Sequence, residues 1–131
     1  MGVQLTKDSI DLGIVTNEPE KSLAFYRDLL GFTDLGQTPM PGGTMQRLGC
    51  GSSVIKLVTT KKPTGPAPGG GIQGAQGYRY WTISVSNLAE LVAQCEGAGV
   101  KVVVPITELA PGVVIAIVED PDGNWVEFLG S

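Results

Sequence analysis

The sequence predicts an α+β fold made of two βαβββ modules. Three observations carry that prediction. Both halves of the chain repeat the order strand, capped helix, three strands. A Gly/Pro-rich segment over residues 60–77 separates them. The opening and closing strands of the halves also align, pairing Asp11 with Tyr80, Leu12 with Trp81, Gly13 with Thr82 and Lys56 with Glu127. Identity between the halves is thin, so the repeated order carries the case for a duplication. Residues 1–131 read as one domain, with module one over about 8–60, a connecting loop over about 61–77 and module two over about 78–130.

The first half opens with Ile10–Thr16, a short apolar run with β-branched residues. Asn17-Glu18-Pro19-Glu20 predicts a helix start, with Asn17 as cap, Pro19 in the first turn and Glu20 at the capping-box position. Leu23, Tyr26 and Leu30, with Phe25 and Leu29, give that helix one apolar face, and Gly31 ends it. Strands are predicted over Phe32–Gly36, Thr44–Gly49 and Ser53–Thr59, with turns at Gly42-Gly43 and Gly49–Ser52.

Residues 60–77 contain three prolines and six glycines, which predicts a loop too permissive for a packed element. Its length suits a lid or an inter-module connection. The second half starts with a strand over Tyr78–Val85. Ser86-Asn87 caps a helix whose stripe is Leu88, Leu91, Val92 and Cys95, with Gly97 and Gly99 at its end. Strands follow over Val100–Val104, Val113–Val118 and Trp125–Leu129, the last two joined by a turn at Asp120-Pro121-Asp122-Gly123.

Composition excludes several function classes. The chain has 131 residues and a formal charge of −4, without the basic stripe a nucleic-acid binder needs. It has no histidine, which removes Ser–His–Asp and Cys–His mechanisms and histidine-built zinc sites. Cys50 and Cys95 lack C-x-x-C spacing and are expected to be two buried, reduced thiols. No apolar run approaches ~18 residues, and the stretch MGVQLTKDSIDLG lacks a signal-peptide core, so no membrane partner and a cytoplasmic location are expected.

Strand alternation then sorts the candidate residues. Asp11, Gly13 and Val15 share one face, opposite Leu12 and Ile14; Tyr80, Thr82 and Ser84 share another, opposite Trp81 and Ile83. Lys56 within VIKLV and Glu127 within WVEFL are lone charges in apolar strands. Each reads either as a charge on the wet face of a one-sided sheet or as a charge held in a pocket. If Asp11, Lys56, Tyr80 and Glu127 converge, they form a cluster of two carboxylates, an ammonium and a phenol. Arg47 and Arg79 are candidates for an anionic substrate group, with Thr82 and Trp125 as further substrate-binding candidates. The glycines at 69–71 are not a phosphate loop, because no Lys-Ser/Thr follows them.

The stretches DLGIVTNEPEKSLAFYRDLLGF (11–32), GYRYWTISVSNLAELVAQCEGAGV (77–100) and VEDPDGNWVEFLG (118–130) resemble the vicinal-oxygen-chelate superfamily, which contains glyoxalase, bleomycin-resistance proteins and extradiol dioxygenases. The resemblance implies two βαβββ modules whose curved sheets wrap a cup-shaped pocket, often in a homodimer. It also implies four metal-ligand positions, which fall on Asp11, Lys56, Tyr80 and Glu127. Only Glu127 keeps a usual ligand type, and a protonated Lys56 offers no lone pair. No cofactor is therefore expected; a divalent metal, if bound, would use Asp11 and Glu127.

Two functions compete within that frame. One is a metal-independent lyase or isomerase acting on a small carbonyl compound, with Glu127 and Asp11 as acid/base groups and Lys56 and Tyr80 stabilising an oxyanion. The other is a non-catalytic protein that binds or sequesters a small molecule of antibiotic type. In both, the partner is a small-molecule ligand.

Overall fold

The computed structural model describes residues 2–131 and divides into two compact units, Met1–Gly65 and Pro66–Ser131. The division falls inside the Gly/Pro-rich segment.

In the first unit, β1 (Leu12–Val15), β2 (Thr33–Met40), β3 (Gly43–Cys50) and β4 (Ser53–Thr60) form one sheet of order β1-β4-β3-β2. β1 runs parallel to β4, and the other neighbours are antiparallel. The second unit repeats this with β5 (Tyr80–Val85), β6 (Val102–Ala110), β7 (Val113–Glu119) and β8 (Trp125–Gly130), in the order β5-β8-β7-β6. Each first strand is parallel to its last because a helix carries the chain back across one face between them. Each unit is therefore βαβββ, and the two sheets are mixed.

The helices are α1 (Pro19–Leu23) and α2 (Leu88–Gly97). The stripe Leu88, Leu91, Val92 and Cys95 on α2 is buried as the spacing predicts. The helix ends in a Schellman arrangement: Val100 N–H donates to Cys95 O and Gly99 N–H to Glu96 O, with Gly99 at φ +77°. Asn87 occupies the N-cap position, but its side chain makes no capping bond.

The first helix departs from its prediction. After α1 the chain widens into a π-helical turn over Ala24–Leu29, closed by Leu30 N–H donating to Phe25 O. The extra residue per turn brings the consecutive rings of Phe25 and Tyr26 both inside. They meet edge to face at 4.7 Å, and Tyr26 stacks on Phe32 at 5.9 Å. Asn17 does not cap α1. The Thr16 hydroxyl accepts from Glu18 N–H, while the Asn17 amide pairs with Thr64, donating to its carbonyl at 2.8 Å and accepting from its N–H at 3.0 Å.

Strand lengths differ from prediction for identifiable reasons. β1 is short because the Val54 N–H, which would extend the parallel ladder, donates to the Asp11 carboxylate instead. β2 and β6 run past Gly36 and Pro105 because both are edge strands, where a bulge or a proline costs little pairing. The first hairpin turn is shifted by one residue to Pro41-Gly42, and the second is tighter than predicted, at Gly51-Ser52. The β6–β7 turn is Pro111-Gly112, which was not anticipated.

The connecting segment also corrects its prediction. It contains a 3₁₀ turn over Gly71–Gln73, and Gly71 is buried. That residue has φ +55°, and a Cβ there would overlap the indole of Trp125. Only glycine meets both conditions, so this part of the loop packs tightly.

Each unit has its own core. Ile14, Leu48, Ile55 and Leu57 are buried with Phe25 and Tyr26 in the first. Ala116, Val118, Val126 and Phe128 are buried with the α2 stripe in the second. Leu12, Trp81 and Ile83, on the faces opposite the candidate residues, are half-buried. Cys50 and Cys95 are free thiols, but only Cys95 is buried; Cys50 is half-exposed because it ends β3 beside a turn. Desolvation raises the pKa of both. Among the described residues, no helix is long and apolar enough to cross a membrane.

Candidate functional site

The alternation read from sequence holds in both units. Gly13 and Val15 are exposed and Ile14 is buried; Tyr80, Thr82 and Ser84 are exposed and their neighbours less so. Register then places Arg47 and Lys56 on the face of Gly13 in the first sheet, and Trp125 and Glu127 on the face of Tyr80 and Thr82 in the second, whereas Asp11 and Arg79 precede the first strand of their sheets.

In the second unit, Thr82 on β5 lies directly beside Glu127 on β8. The Thr82 hydroxyl donates to Glu127 Oε1 at 2.6 Å. The row continues to Ile117 on β7, a residue only 4% exposed. Glu127 thus stands between a hydroxyl that orients one oxygen and an apolar wall, and among the described residues Oε2 accepts no hydrogen bond. Tyr80 heads the adjacent row, beside Trp125, and is about half exposed at 48%.

Trp125 and Arg79 have structural work of their own. Trp125 forms the floor under Gly71. The Arg79 guanidinium donates to three loop carbonyls, from Nε to Gly71 at 2.7 Å and from Nη2 to Pro68 at 2.9 Å and Gly69 at 2.8 Å. Arg79 also lines a cleft of about 310 Å³ with Pro68, Tyr78 and Asn124. Glu127 and Thr82 do not line that cleft.

In the first unit, Asp11 precedes β1 and is tied down. Its Oδ1 accepts from Lys7 Nζ at 2.7 Å and from Val54 N–H at 2.8 Å. The Lys7 hydrogen bond, with the Val54 N–H and the charge of Lys56, holds the carboxyl below the usual aspartate range. A carboxylate stabilised in this way is a weaker base. Lys56 lies directly beside Gly13 on one side and Arg47 on the other.

Sequence reasoning named Lys56 and Arg47 separately and missed that they are cross-strand neighbours. The signal was available: a two-residue turn at Gly51-Ser52 pairs Cys50 with Ser53, and counting outward places Arg47 opposite Lys56.

This donor set does not fit a divalent cation. Lys56 brings a positive charge without a lone pair, Arg47 adds a second beside it, and Asp11 Oδ1 already accepts two hydrogen bonds.

The sequence model of the Glyoxalase/Bleomycin resistance protein/Dioxygenase superfamily matches residues 9–128. The chain belongs to that superfamily. Solved structures of similar fold include a glyoxalase family protein from Bacillus cereus, with TM-score 0.82 and 15% identity over 97% of this chain and 95% of that one. Glyoxalase I from Leishmania major, described as trypanothione-dependent, gives TM-score 0.73 and 26% identity over 95% of this chain and 87% of that one. Glyoxalase I from Zea mays gives TM-score 0.77 and 19% identity over 92% of this chain; the match spans 43% of the maize chain. None of the curated proteins matches this sequence. Within the superfamily, the fold and the paired modules are shared ground, and the chemistry must be argued from the site.

Proposed function

We propose that the chain is a metal-independent lyase or isomerase of the glyoxalase type, moving a proton beside the carbonyl of a small compound. The observation that carries this reading is the Thr82–Glu127 hydrogen bond. A general base must be fixed in direction and keep one oxygen open for the proton it takes. Glu127 meets both conditions, and its neighbour Ile117 keeps water from one side.

Proton abstraction is assigned to Glu127, oriented by Thr82, whereas Asp11 Oδ1 already accepts from Lys7 Nζ and Val54 N–H. Tyr80, which heads the row beside Glu127 on the same sheet, supplies a phenolic donor to the oxyanion formed as the proton leaves. We place the protein in the cytoplasm as a homodimer, a state that analytical ultracentrifugation reads directly.

The test follows exchange of the proton beside the carbonyl in heavy water by NMR, using a panel of small hydroxy- and keto-carbonyl compounds. At least one compound exchanges faster than in buffer. Glu127→Gln lowers that rate by about 100-fold or more, within the range for a positioned acid/base group. Dialysis against a chelator leaves it unchanged. Binding without exchange throughout the panel is the signature of a sequestration protein and overturns the proposal, as does full activity in Glu127→Gln.

A further inference from the structure

We infer that Lys56 and Arg47 form an oxyanion-binding site on the polar face of the first unit's sheet, taking the carboxylate or phosphate group of a small ligand. The two residues are direct partners in the antiparallel pair of β3 and β4, so their side chains leave the same face. Partners of this kind have Cβ atoms roughly 4.5–5.5 Å apart, and like charges there repel. Such a pair persists where something negative is meant to lie between its members.

No carboxylate of the described residues does so. The other paired cations, such as Lys7 with Asp11, Arg27 with Asp28 and Lys101 with Glu119, have carboxylates within ion-pair distance. Neither Lys56 nor Arg47 makes a side-chain hydrogen bond or ion pair among the described residues. Asp11 feels the charge of Lys56, but its Oδ1 is taken by Lys7 and Val54 N–H. Lys7 and Asp11 neutralise one another and leave the pair of cations uncompensated.

The flanks of the row are open. Gly13 lies on the far side of Lys56 and Gly36 on the far side of Arg47. A Cβ at either glycine would meet nothing within 4 Å. The rows on either side supply Val54, Val58 and Met45, so the cations sit half-buried in an apolar frame. Ion attraction is stronger in such surroundings than in bulk water, and the guanidinium fork suits two oxygens at once.

The site stands on this geometry alone and does not depend on the proposed function.

The full chain is titrated with inorganic phosphate and, separately, with acetate, using chloride at matched ionic strength as control. The probes are the backbone amide NMR signals of Gly13, Gly36 and residues 47 and 56, which every variant retains. A saturable shift with either oxyanion, absent with chloride, is expected. Lys56→Met weakens it at least tenfold, Arg47→Met abolishes it, and Arg47→Lys restores part of it. Both Met variants also raise the Tm of the ligand-free protein by about 1–4 °C, because a like-charge contact is gone. Glu127→Gln leaves oxyanion binding unchanged, which separates this site from the proton-transfer proposal. An equal shift with chloride, or affinity untouched by Lys56→Met, overturns the inference.

Discussion

The hydroxyl of Thr82 donates to Glu127 Oε1 at 2.6 Å across the parallel pair of β5 and β8. The two residues are register partners, so the bond runs directly across the strand pair. A hydroxyl donor to a carboxylate fixes which oxygen faces the strand and which faces outward.

Thr82→Val keeps the shape and removes the donor. If Glu127 transfers the proton, kcat for carbonyl exchange falls about tenfold, equivalent to about 1.4 kcal/mol, while KM changes little. Thr82→Ser restores most of the rate. Steady-state kinetics on the three proteins check this, because a purely structural threonine would not separate kcat from KM.

Gly71 is held between a left-handed backbone and the Trp125 ring. Gly71→Ala demands both a strained φ and a shift of the indole, which costs about 1–3 kcal/mol. Thermal unfolding shows a lower Tm, and tryptophan emission moves to longer wavelength as the ring gains solvent.

Arg79 latches the connecting segment through three carbonyls. Arg79→Met leaves those carbonyls to water and lowers the local opening energy of the loop by about 1–2 kcal/mol. Amide hydrogen exchange over residues 69–74 accelerates roughly tenfold, while the strands of the second unit keep their protection.

Much of the fold was legible because the hydrophobic period changes cleanly along the chain. The α2 stripe and the alternation of β5 each follow from local spacing. What was not legible depended on pairing. The π-helical turn comes from tertiary demand to bury Phe25 and Tyr26 together, and no capping residue signals that. Asn17 had the right chemistry for a cap, but Thr64, far along the chain, competes for its amide. The packed loop was missed because glycine content reads as freedom, whereas Gly71 is glycine because an indole leaves no room for a Cβ. For the candidate site, residue types were legible and neighbours were not: Thr82 with Glu127 and Arg47 with Lys56 are facts of register.

Asp11 makes the acid limb of stability testable. Its pKa lies below the ordinary value of 3.8 chiefly because of the Lys7 hydrogen bond, then the Val54 N–H. A depressed carboxyl stabilises the folded chain fully above the unfolded value, and the contribution is lost as pH falls through the folded one. Wild type and Asp11→Asn should therefore differ by a constant urea midpoint from neutral pH down to about 5, with wild type the more stable. Below about pH 4 the gap should close as Asp11 takes up a proton. Lys7→Met should remove part of the gap and leave the part due to Val54. Added salt should mimic Lys7→Met, since it screens the exposed ion pair far more than the backbone hydrogen bond.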